Sequence, residues 1–107
     1  MLKNKQRVVL KAQGDTLIAH LCGEIDHHSA VAMRCELDDG IDRYRPKTLR
    51  LDASSVDFMD SSGLGLIMGR CAHMQRLGGT LILHRPSEQV LRMARMAGLE
   101  RIITIEG

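Results

Sequence analysis

The stretch Asp57-Phe58-Met59-Asp60-Ser61-Ser62-Gly63-Leu64-Gly65-Leu66-Ile67-Met68-Gly69 decides how the chain is read. It is the end of a loop that leaves a strand and runs into a helix. Two hydroxyls, Ser61 and Ser62, stand where that helix should begin, and Asp60 immediately precedes them. The first turn of a helix has free backbone N–H groups and the positive end of the dipole, so an anion placed there finds donors waiting. Gly63, Gly65 and Gly69 then follow within the helix, although glycine costs about 1 kcal/mol relative to alanine at such positions. A backbone that something must approach closely would account for them. Spacing alone leaves two readings of Ser61: an ordinary helix N-cap, or the phosphoacceptor of a switch whose docking surface lies around it.

Working outward, Thr48 to Ala53 is the strand before that loop, with Leu49 and Leu51 inward and Arg50 outward. The helix is predicted over 61–77 and stops at Gly78-Gly79, since glycine ends helices readily. Thr80 to His84 is an apolar strand. Arg85-Pro86-Ser87 is a turn, and Ser87 caps a helix that runs to about Ala97 and ends at Gly98. Arg101 to Ile105 is a last short strand. Upstream, residues 6–12 alternate, with Val8, Leu10 and Ala12 on one side, the mark of a half-buried strand. The turn Gln13-Gly14-Asp15 joins it to a second strand over 16–22 as an antiparallel hairpin. Gly23 to Ser29 then enters a helix capped by Asp26 or Ser29. Ala30, Met33, Leu37 and Ile41 give that helix its core stripe, and Tyr44-Arg45-Pro46 ends it. The order β-β-α-β-α-β-α-β predicts an α/β fold: one mixed sheet, parallel apart from the opening hairpin, with helices packed on it. Residues 1–107 form one domain, since this length does not suffice for two.

On the helical wheel Leu64, Ile67, Met68, Cys71 and Met74 share the side expected to pack on the sheet. Ser62, Leu66, Gly69, His73 and Arg76 share the opposite side, with Gly65 at its border. Leu66 among small residues on an outward face reads in two ways: a single exposed leucine, common on any surface, or a flat patch that a partner covers.

Composition excludes several functions. The apolar fraction is 44%, ordinary for a folded protein. One Phe, one Tyr and no Trp leave nothing on which to stack single-stranded bases, and a net charge of +2 with interspersed signs does not indicate nucleic acid or a membrane surface. No apolar run reaches the roughly 20 residues of a membrane span, and no signal-peptide core follows the N-terminal charges. Cys22, Cys35 and Cys71 form no CxxC and no disulfide framework, and are read as buried small residues in a reducing cytoplasm. Asp26 with His27-His28 lacks further ligands at metal spacing. No GxSxG surrounds Ser61, and Asp60-Ser61-Ser62-Gly63-Leu64-Gly65 is not a phosphate-binding loop of the GxxxxGK type. Neither an enzyme nor a cofactor is expected. Met93 and Met96 serve as core filler where aromatics are scarce, with Arg92 and Arg95 on a solvated face.

Two segments, Gly23-Glu24-Ile25-Asp26-His27-His28-Ser29-Ala30 and Phe58-Met59-Asp60-Ser61-Ser62-Gly63-Leu64-Gly65, resemble the anti-anti-sigma factors of the STAS domain family. Gly78-Gly79 before a strand and the helix end Met96-Ala97-Gly98-Leu99 also look like that family, whose element order fits from end to end. The resemblance implies that Ser61 is phosphorylated by an anti-sigma factor that is itself an ATP-dependent serine kinase. It implies that the unphosphorylated form binds that kinase and frees a sigma factor, and that a phosphoserine phosphatase resets the switch. Asp26 would then lie beside Ser61 and support it, with Asp60 adjoining. Ser62, Gly63, Gly65, Leu66 and Gly69 are the expected partner contacts. Cytoplasmic control of sigma-dependent transcription, in sporulation, follows from the same resemblance. The alternative is an STAS-like subunit of an ABC transporter or other assembly, using the same face without phosphorylation.

Overall fold

Leu17, Ala19 and Leu21 alternate with Ile18, His20 and Cys22, and this period of two commits the segment to a strand with one apolar face. In a computed structural model describing residues 7–107, five strands and three helices form in the expected order. They are β1 (Val8–Gln13), β2 (Thr16–Ile25), α1 (His27–Tyr44), β3 (Thr48–Met59), α2 (Ser61–Arg76), β4 (Thr80–His84), α3 (Glu88–Met96) and β5 (Thr104–Glu106). The sheet order is β1-β2-β3-β4-β5, with β1 antiparallel to β2 and every other pair parallel. Parallel strands that neighbour one another in chain order need crossovers of one hand, which send their helices to the same face.

Burial agrees with that layering. Leu17, Ala19, Leu49, Leu51 and Leu83 are fully shielded on one face, with Met33, Leu37 and Ile41 of α1 and Ile67 and Met74 of α2 in the same core. On the other face, cross-strand register lines up His20, Asp52, His84 and Glu106 in one row. His20 Nδ1 lies 3.3 Å from Asp52 Oδ2, and His84 Nδ1 lies 2.7 Å from Glu106 Oε1. Burial pushes the Asp52 carboxyl up. The Ser54 hydroxyl and amide, aided by His20 and Arg85, more than reverse this and hold it below the usual carboxylate range.

Several expectations need correction. The strand predicted over 48–53 runs on to Met59, and the one predicted over 16–22 runs on to Ile25. Two register shifts, at His20/Cys22 and Gly23/Glu24, break the alternation there, so Ala53, Val56 and Met59 are buried at a spacing of three rather than two. Gly23 sits at that irregularity with φ 83°, in the left-handed region. The first strand starts at Val8, and residue 6 lies outside the described residues. The last strand is Thr104–Glu106, because Leu99–Arg101 winds into a 3₁₀ turn. Helix α2 ends at Arg76, one residue early. Ser87 occupies the cap position of α3, but its hydroxyl makes no capping bond. Of the cysteines only Cys71 is buried, which pushes its thiol up; Cys22 is half-buried and Cys35 is exposed. Met93 packs on the core, whereas Met96 is 82% exposed.

Candidate functional site

Strands β2 and β3 end side by side, Ile25 opposite Met59, and each passes directly into a helix. The carboxyl edge of parallel strands is where α/β folds place their binding sites. The amide of Asp60 donates to the carbonyl of Ile25 at 3.1 Å and ties the two helix starts together.

At the start of α1 the cap is Asp26, and Ser29 is its partner three residues on. The Ser29 amide donates to Asp26 Oδ1 at 2.9 Å, while the Asp26 amide donates back to Ser29 Oγ at 2.9 Å. This reciprocal box satisfies two otherwise free donors. Ser29 Oγ also donates to the Glu24 carbonyl at 2.8 Å, so the buried hydroxyl is fully engaged. The Ser29 amide is the largest influence on the Asp26 carboxyl. Burial opposes it, and the Ser29 hydroxyl and His28 help hold that carboxyl below its usual range.

At the start of α2 the cap is Asp60, whose Oδ1 accepts from the Ser62 amide at 2.7 Å. Ser61 is therefore the first helical residue rather than the cap. Its side chain is exposed and engages none of the described residues. Asp57 and Phe58 just before it are exposed too, Phe58 to 45%.

The glycines divide by environment. Gly63 faces inward. A Cβ there would collide with Met59 Cγ and stand 2.5 Å from its Sδ, so α2 sits on β3 only if this residue has no side chain. Gly63 is thus part of the core, not of the surface on which a partner contact was expected. Gly65 and Gly69 open instead onto space, with no heavy atom within 4 Å of an added Cβ.

They line a groove of about 330 Å³ between α1 and α2, together with His27, Ala30, Val31, Arg34, Ser62, Leu66 and Arg70. Leu66 was expected on an outward face but is only 4% exposed, because α1 covers that side of α2. Conversely Met68, expected in the core, is 48% exposed. The wheel is rotated from the predicted one because α2 packs on a helix as well as on the sheet.

Sequence reading missed the α1 wall of the groove. Ala30, assigned to the core stripe, is only partly buried and lines the groove, and His27, Val31 and Arg34 recur beside that stripe at helical spacing and were legible as a second face. Arg70 carried no signal, since its burial depends on Asp38 of the other helix. Farther along, His73 joins α2 to α1, with Nδ1 at 2.7 Å from Asp38 Oδ1 and Nε2 at 2.9 Å from Asp42 Oδ1. Among the described residues no cluster of His, Cys, Asp or Glu is placed to hold a metal, and no helix is long and apolar enough to cross a membrane.

Comparison with known proteins identifies the family of this chain. The STAS domain profile matches residues 7–107. The anti-sigma F factor antagonist of Paenibacillus polymyxa is 37% identical over 89 residues, covering 83% of this chain and 76% of that protein. The anti-sigma-B factor antagonist of Bacillus subtilis (strain 168) is 33% identical over 102 residues, covering 92% and 88%. The fold is also that of the anti-sigma factor antagonist SpoIIAA in its unphosphorylated form (TM-score 0.79, 29% identity, 92% of this chain and 86% of that one). The phosphorylated form of SpoIIAA, from Bacillus, matches with a TM-score of 0.73 and 28% identity over 92% and 89%. With its profile matched across the described residues and its helix starts built as above, the chain belongs to the STAS domain family.

Proposed function

We propose that this protein is an anti-sigma factor antagonist that works by partner switching, with Ser61 as its phosphoacceptor. The unphosphorylated form binds an anti-sigma factor that is an ATP-dependent serine kinase, and so releases a sigma factor. Phosphorylation of Ser61 ends the binding, and a phosphoserine phosphatase restores it. Sporulation is the pathway proposed, on the resemblance at both motifs.

One observation carries this reading. Asp60 takes the capping role, which leaves the Ser61 hydroxyl exposed and uncommitted at a helix start. A phosphate there adds about −1.5 to −2 charge, partly stabilised by the helix dipole and opposed by Asp60, Asp57 and Asp26. The fold need not change. A dianion at the rim of an interface is costly to desolvate and repels acidic groups on a partner. A loss of about 3 to 4 kcal/mol, a few hundred-fold in affinity, is enough to switch the complex off. Ser62, Gly65, Leu66 and Gly69 supply the partner contacts, and Asp26 and Asp60 tune the phosphosite.

The test is calorimetric titration of the organism's anti-sigma kinase, with ADP present, into wild type, Ser61→Ala and Ser61→Asp. Wild type and Ser61→Ala should bind tightly, and Ser61→Asp about tenfold or more weaker. Equal binding by all three would take the switch away from Ser61.

A further inference from the structure

The groove beside Ser61 is lined by apolar residues and by two arginines. Leu66, Ala30 and Val31 supply apolar surface, and Gly65 and Gly69 expose backbone; His27, Arg34 and Arg70 stand around them. Asp38 is the carboxylate beside Arg70, and it is shared with His73. The Arg70 side chain is only 7% exposed. Its Nε forms an ion pair with Asp38 Oδ1 at 2.9 Å, and among the described residues neither Nε nor Nη1, both buried, has a well-aligned hydrogen-bond acceptor. The same Asp38 oxygen is already bonded to His73. A buried guanidinium with an unused donor is costly, more so than a neutral donor in the same place. Arg34 and Arg76 lie close enough to Arg70 to repel its charge. The groove thus presents two guanidinium groups, Arg34 exposed and Arg70 nearly buried beside Asp38.

We propose that the groove receives a carboxylate-bearing segment of the anti-sigma partner, with an Asp or Glu side chain set between Arg34 and Arg70 and its neighbours packed over Gly65, Gly69 and Leu66. This rests on the function proposed above and names the chemistry of the partner at that same site. A planar carboxylate matches the guanidinium fork, and a segment lying on two glycines can come within backbone contact of α2. It also supplies what the switch needs. Ser61 immediately precedes groove-lining Ser62, so a phosphate on it meets the partner's acid with like charge and offers the groove cations a competing anion.

The test measures binding of the anti-sigma kinase, with ADP, to wild type, Arg34→Lys and Arg34→Glu at low and high NaCl. Arg34 is exposed, so these variants keep the fold. Arg70→Lys is read alongside, with its circular dichroism as a folding check. Wild-type affinity should fall as salt rises. Arg34→Glu should bind about tenfold or more weaker and lose most of that salt dependence, and Arg34→Lys, which keeps the charge but not the fork, should keep the salt slope and fall between wild type and Arg34→Glu. Arg34→Glu binding as tightly as wild type, with an unchanged salt slope, would overturn the carboxylate while leaving the antagonist reading intact. Failure of wild type itself to bind would overturn both.

Discussion

Two helix starts stand side by side at the carboxyl edge of the sheet, each with an aspartate cap and a serine behind it. At α1 the serine is three residues after Asp26, where its hydroxyl accepts from the cap amide and donates farther back to the Glu24 carbonyl. At α2 the serine directly follows Asp60, and the cap bond passes over it to the Ser62 amide. Two residues of spacing turn one serine into a structural pin and leave the other available for chemistry. The lesson is that a serine's function at a helix start depends on whether another residue already holds the cap.

The comparison can be broken in several ways. The largest effect is expected beneath the second start. Gly63→Ala pushes a methyl into Met59 and should destabilise the fold by about 1–3 kcal/mol, read as a lower midpoint in urea unfolding. An unchanged midpoint would mean that α2 is not seated against Met59 as closely as the structure has it. Next come the serines themselves. Ser29→Ala removes a buried hydroxyl with bonded partners on both sides and should cost about 1–2 kcal/mol. Ser61→Ala should fall within about 0.5 kcal/mol of wild type. Equal losses would erase the distinction between the two starts.

Gly65→Ala meets open space, so helix propensity should stabilise the protein by up to about 1 kcal/mol. The same methyl intrudes on the groove and should weaken the anti-sigma partner. A more stable protein that binds less well separates glycine kept for docking from glycine kept for packing.

The smallest effect is in acid. Asp26 and Asp52 both have lowered carboxyls, so the stability they contribute is whole above the unfolded carboxylate value of about 3.9. It is lost as pH falls from there through their folded values. Asp26→Asn should flatten the stability profile below about pH 4 and leave its slope above pH 5 unchanged. A steep loss in the Asp26→Asn variant equal to that of wild type would assign the acid sensitivity elsewhere.

Much of the fold could be read because its signals are local. The alternation in residues 16–22, the stripe Met33-Leu37-Ile41 and the turns at Gly14 and Gly78 each need only neighbouring residues to interpret. Element ends were less legible where extra residues of β3, opposite Cys22 and Gly23, broke the period of two. The site divides in the same way. Asp26 is visible as a cap and Ser61 as a hydroxyl at a helix start, but the capping role there belongs to Asp60 rather than to Ser61. The burial of Leu66 and the pairing of Arg70 with Asp38 depend on α1 meeting α2, across about thirty residues of chain, and the inward turn of Gly63 depends on α2 meeting Met59 and Ile25 of the sheet. No helical wheel drawn on one segment contains that contact.

The most direct test of Ser61 as the free serine is to map phosphate after incubating the protein with the anti-sigma kinase and ATP. Mass spectrometry of proteolytic fragments should place one phosphate on Ser61, with Ser29 and Ser62 unmodified and none acquired by Ser61→Ala. Phosphate on Ser62 or Ser29, or undiminished phosphorylation of Ser61→Ala, would contradict the account.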